Sequence, residues 1–118
     1  RDVTAEVQQV VSDSGVSEGL CHVFVPHTTA GLTLNENWDP DVRDDLVRAL
    51  EAMVPNVSFR HGEGNSPAHL LATLVGAGQT LFVRGGRLVL GSWQGVYLAE
   101  FDGPRRRRVL VRILADPT

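Results

Sequence analysis

Thr80-Leu81-Phe82-Val83-Arg84-Gly85-Gly86-Arg87-Leu88-Val89-Leu90 decides the class of this fold. Two apolar runs, Thr80–Val83 and Arg87–Leu90, flank Gly85-Gly86, and paired glycines supply the positive φ angles that a tight hairpin turn needs. Beyond the hairpin, Trp93 to Phe101 reads as another strand and Asp102-Gly103-Pro104 as a turn. Arg105 to Leu114 then closes a meander. In the other direction the pattern becomes helical. Pro67–Val75 reads as a short helix closed by Gly76, preceded by a loop from Asn56 to Asn65. Asp39-Pro40 caps an earlier helix, whose Val42, Leu46, Leu50 and Met53 form a stripe expected to be buried. Leu20–Val25 and Leu32–Leu34 read as strands. Residues 3–13 place Val3, Val7, Val10 and Val11 at helical spacing before the stop at Gly15. There is no repeat or linker, so residues 1–118 read as one α+β domain.

Composition narrows the function classes. The chain has 118 residues and a formal net charge of −3, which argues against non-specific nucleic-acid binding. All eleven basic residues are arginine, so lysine Schiff-base chemistry has no candidate. Cys21 is the single cysteine and cannot close an internal disulfide, which makes a reducing, cytoplasmic setting the expectation. No apolar run reaches the length of a membrane span, and no signal peptide is visible. The sequence starts at Arg1 without a methionine.

The densest chemistry lies in His61-Gly62-Glu63-Gly64-Asn65-Ser66-Pro67-Ala68-His69. Ser66 is the expected N-cap, with Pro67 at the first helical position. His69 then falls in the first helical turn, where the positive end of the helix dipole disfavours the imidazolium and leaves a neutral ring able to bind metal or act as a base. Gly62 and Gly64 allow the loop to bring His61 beside His69. His27, after Pro26, is the candidate third ligand, since three histidines with an open position suit zinc, and imidazole also suits iron, copper and nickel. The competing reading has these histidines capping backbone groups or stacking at a subunit interface. Glu36 follows a strand, where a carboxylate can serve as a general base. Thr28, Thr29, Ser66 and the free N–H groups of the helix at Pro67 suit an anion such as phosphate. Trp93 and Gln94 offer a flat ring and an amide for a planar ligand. Of the run Arg105–Arg108, a strand would direct at most two side chains to one site, and Arg105 is the candidate. His22 and Cys21 read as packed strand residues.

Several blocks resemble the YjbQ-like family: His27-Thr28-Thr29-Ala30-Gly31-Leu32-Thr33-Leu34-Asn35-Glu36, Glu63-Gly64-Asn65-Ser66-Pro67-Ala68-His69, Gly91-Ser92-Trp93-Gln94-Gly95-Val96-Tyr97 and Asp102-Gly103-Pro104-Arg105. Members of that family usually begin with an extra strand before the first helix, and this sequence opens on the helix. The resemblance implies an α+β fold with two sheets packed as a sandwich, about three helices, and a homotrimer. It also implies a divalent-metal site at His27, His61 and His69, with zinc first among the ions. The family is labelled a secondary thiamine-phosphate synthase, which joins a pyrimidine pyrophosphate to a thiazole phosphate and releases pyrophosphate. Glu36 and His69 are then the expected catalytic residues, and Thr28, Thr29, Ser66, Trp93, Gln94 and Arg105 the expected substrate contacts. Two alternatives stand beside this transferase: a metal-dependent hydrolase of a phosphorylated small molecule, and a non-catalytic trimeric binding protein. None of the three implies nucleic acid or membrane as a partner.

Overall fold

The computed structural model describes residues 1–118. Three helices and two antiparallel sheets follow in the order α1 (Thr4–Ser14), β1 (Gly19–Phe24), β2 (Ala30–Glu36), α2 (Pro40–Ala52), α3 (Ser66–Val75), β3 (Gly78–Arg84), β4 (Arg87–Leu88), β5 (Gln94–Glu100) and β6 (Leu110–Ala115). The larger sheet has the order β4-β3-β1-β6, and β2 pairs with β5 alone. No helix is long and apolar enough to cross a membrane.

Alternation along β1 aims Cys21 and Val23 inward, beside Leu81 and Val83 of β3. Val3, at the cap of α1, and Val7 and Val11 within it lie on this face, and Ala30, Leu32 and Val96 close the core from the smaller sheet. Val10, read as part of the same helical stripe, is instead 39% exposed, because the buried face of α1 is narrower than its apolar arc. Residues 1–3 hold to the free edge of β5, with Val3 N–H donating to the Val96 carbonyl at 2.8 Å and Leu98 N–H to the Arg1 carbonyl at 2.8 Å.

Gly85 and Gly86 have φ of 58° and 75°, the paired positive values that the Gly-Gly reading requires. The second arm is shorter than expected, since only Arg87 and Leu88 pair back onto β3. Gly31 serves close approach: a Cβ there would lie 2.6 Å from the Gly76 carbonyl, so only glycine lets the end of α3 press on β2.

Two sequence expectations change in the fold. Arg105–Arg108 are not strand, because β6 begins only at Leu110, and the two-face alternation does not apply to them. The stripe on α2 is not buried either. Asp39 caps the helix as expected, its carboxylate accepting from Asp41 N–H at 2.9 Å. Yet no α2 residue is buried, and Met53 is 58% exposed, because the helix stands off the β2–β5 sheet across a cavity.

Candidate functional site

His61 and His69 do meet. Their ring centres lie 5.6 Å apart with an interplanar angle of 88°, His61 exposed and His69 half-buried. The helix that carries His69 starts one residue earlier than the capping pattern indicated. Ser66 is its first residue and Asn65 stands at the cap position without a side-chain capping bond. Asn65 is drawn elsewhere, its Nδ2 donating to the Asp102 carboxylate at 2.8 Å, and its buried Oδ1 has no partner. The N–H groups of Ala68 and His69 both donate to the Asn65 carbonyl. The supply of free donors expected at this helix end is correspondingly reduced.

The segment 101–108 ties the start of α3 to the loop between β1 and β2. Arg107, whose side chain is only 7% exposed, pairs with Glu100 and donates to the Thr29 carbonyl at 3.0 Å and to Thr29 Oγ1 at 2.8 Å. Thr29 is therefore buried and engaged, while Thr28 remains exposed. Arg108 N–H donates to His27 Nε2 at 2.8 Å. A backbone N–H can only donate, so Nε2 is the acceptor and the neutral ring keeps its proton on Nδ1. While this bond is made, His27 has no free lone pair for an ion. Arg105 binds the Asp102 carboxylate at 2.8 Å and its carbonyl at 2.9 Å, leaving its outer guanidinium half-exposed.

Charge follows these bonds. The Arg107 guanidinium holds the Glu100 carboxyl below its ordinary value, against a smaller opposing effect of burial. The Asn65 amide does the same for Asp102, helped by Arg105. Arg107 is raised in turn by Glu100. Burial pushes the Cys21 thiol up, which leaves it a small apolar core residue.

The other expected site residues lie apart from the histidine pair. No group of three or more His, Cys, Asp or Glu side chains gathers in metal-holding geometry within one chain. Glu36 lines a separate cavity of about 480 Å³ between α2, α3 and the β2–β5 sheet, whose walls include none of the histidines. Tyr97 closes one side of that cavity and donates from its hydroxyl to the Glu36 carbonyl at 3.1 Å. Its pKa is raised, first by burial and then by Asp2, with Arg43 opposing and Glu36 adding. Gln94 closes its own turn by accepting from Gly91 N–H at 2.8 Å. Trp93 is open to solvent on one side and meets Trp38 edge-to-face, with ring centres 5.5 Å apart. His22 is exposed on the outer face of β1, its Nδ1 2.7 Å from Thr80 Oγ1.

Sequence reasoning passed over Arg107, Asn65 and Asp102. Only the Asp102-Gly103-Pro104-Arg105 block pointed to this corner, and Arg107 lies two residues beyond it.

Comparison with known proteins follows the same geometry. UPF0047 protein MJ1081 of Methanocaldococcus jannaschii is 47% identical over 116 residues, covering 98% of this chain and 84% of that protein. UPF0047 protein YugU of Bacillus subtilis is 44% identical over 115 residues, covering 96% of this chain and 87% of that protein. Among solved structures, an uncharacterized YjbQ/UPF0047 protein from Clostridium acetobutylicum superposes with a TM-score of 0.93 at 50% identity, covering 97% of this chain and 89% of its own. A YbjQ-like protein of unknown function from Sulfolobus solfataricus P2 gives 0.90 at 39% identity, over 98% and 86% of the two chains. The family model described as UPF0047 protein YjbQ-like matches residues 1–116, and this chain belongs to that YjbQ-like, UPF0047 family.

Proposed function

We propose that this chain is the subunit of a homotrimeric, metal-dependent enzyme acting on a phosphorylated ring substrate, with His61 and His69 holding a divalent ion. The observation that carries this reading is the histidine pair itself. Two imidazoles bound to one tetrahedral zinc through nitrogens at about 2.0–2.1 Å would have ring centres roughly 5 Å apart. The 5.6 Å separation found here falls close to that spacing. His27 completes the set on release of its bond from Arg108. Bound there, the ion would neutralise charge on phosphate oxygens during transfer.

This chain's own residues supply the rest. Thr28 and Ser66 present hydroxyls to an anionic group, and Arg105, held in place by Asp102, presents the outward half of its guanidinium. His69, in the first turn of α3, gives its lone pair to the ion and orients it beside Ser66. Glu36, expected as a base, lines the separate cavity and takes no part in this site. Trp93 lies apart from the pair within one chain, and its open face would meet a planar ring only where a neighbouring subunit of the trimer completes the site. Thiamine phosphate synthesis, from a pyrimidine pyrophosphate and a thiazole phosphate, is the reaction whose substrates match these groups. Support for assembly comes from the outer face of the larger sheet, where Phe82 and Leu114 stay 68% and 55% exposed on either side of Leu20.

Elemental analysis of untagged protein and of His69→Ala tests the metal site. About one ion per chain is expected in the parent and none in the variant, with the fold retained. Absence of ion from both after incubation with zinc, manganese or iron would sink the reading.

A further inference from the structure

The cavity under α2 is an apolar-walled space that the histidine site leaves unused. Its volume of about 480 Å³ lies in the range of small-molecule sites, and it is walled by Leu46 and Leu50 of α2, Leu71 and Val75 of α3 and Tyr97 of β5. Native interiors pack at crystal density, so an apolar space of this size between a helix and a sheet calls for an occupant. A thirteen-residue helix with no buried residue also gains little from its own propensity.

Charge identifies the occupant. Glu36 and Arg43 both line the cavity, and neither makes an ion pair within the chain, with each other or with any other residue. Both lie close enough to the Tyr97 hydroxyl to act on it, with opposite signs. Arg1 and Glu51 are the other charged residues of the lining without an ion pair, one of each sign by side chain. An anion would leave Glu36 unanswered, and a cation would leave Arg43 unanswered. A molecule carrying both charges on adjacent atoms answers both, and an apolar side chain fills the leucine-lined part.

We propose that this cavity binds a free hydrophobic α-amino acid, its carboxylate on Arg43, its ammonium on Glu36 and its side chain between α2 and β5. The assignment is independent of the histidine pair. Each end makes a charge-assisted contact whose loss weakens binding about tenfold or more.

Calorimetric titration with L-phenylalanine, 3-phenylpropionate and phenethylamine tests it on the intact protein, the oligomeric state being followed by light scattering. Phenylalanine should bind one per chain, and each singly charged analogue about tenfold more weakly. Arg43→Gln should weaken phenylalanine and phenylpropionate and spare phenethylamine. Glu36→Gln should do the reverse. Leu50→Trp, which fills the cavity, should abolish binding without lowering the melting temperature. Equal binding of all three probes, indifference to both charge variants, or no saturable binding would overturn the proposal. So would Leu46→Glu splitting an oligomer that binds no probe, which would assign this face to a second copy.

Discussion

The two faces of the β2–β5 sheet meet opposite fates. On one side Leu32 and Val96 are fully buried against α1 and the larger sheet. On the other, α2 lies over Thr33 and Tyr97 with no residue of its own buried. Both helices are amphipathic, so amphipathicity tells which face is apolar and not whether anything covers it. What separates them is anchorage. α1 is fixed at its start by residues 1–3 on the edge of β5, whereas α2 is fixed only by its Asp39 cap and the chain that enters it.

The contrast can be broken by mutation. Leu32→Ala should have the largest effect, about 3 kcal/mol of stability by urea denaturation, because a fully buried leucine leaves both lost transfer energy and a cavity. A loss below about 1 kcal/mol would mean that the core collapses around the gap. Next comes Arg107→Gln, which should cost about 2 kcal/mol, less than a fully buried pair because Glu100 is 31% exposed. This variant also sharpens the pH dependence. Glu100 and Asp102 both titrate below their ordinary values in the folded state, so their contribution is present above about pH 4 and is lost as pH falls through the folded values. The acid limb of melting temperature against pH should flatten in Arg107→Gln, leaving the parts due to Asp102 and Asp2. An unchanged limb would remove the Glu100 pair from the explanation. Smallest of all, Leu46→Ala on α2 should change stability by less than about 0.5 kcal/mol, as at other surface positions. A loss of 2 kcal/mol or more would show α2 packed in solution against something that one chain does not supply.

What could be read from the sequence was local. The Gly15 stop with its φ of 71°, the Asp39 cap, the Gly85-Gly86 turn and the approach of His61 to His69 each depend on residues within about ten positions. What escaped was distant. Asn65 left its helix to bond Asp102, 37 residues away, so Ser66 was read as the cap. Arg107 reaches Thr29 across 78 residues, and its role was hidden while Arg105–Arg108 were read as strand. Glu36 looked catalytic by its place after a strand, yet the side of the sheet on which it lies depends on pairing with β5. The glycine of the Ala30-Gly31-Leu32 block belonged to the resemblance without a reason, and the reason is the Gly76 carbonyl.

The pairing of the chain's first residues with β5 has a consequence for the order of events in synthesis. The Arg1 nitrogen donates to the Leu98 carbonyl across 97 residues, and central β1 takes both its partners, β3 and β6, from the second half of the chain. A chain emerging from the ribosome therefore carries Val3, Val7 and Val11 without their full core until β5 has been made. Folding with so much long-range contact is slow relative to helical domains of the same size. A chain interrupted before Gln94 would display the apolar face of α1 to whatever binds unfolded protein.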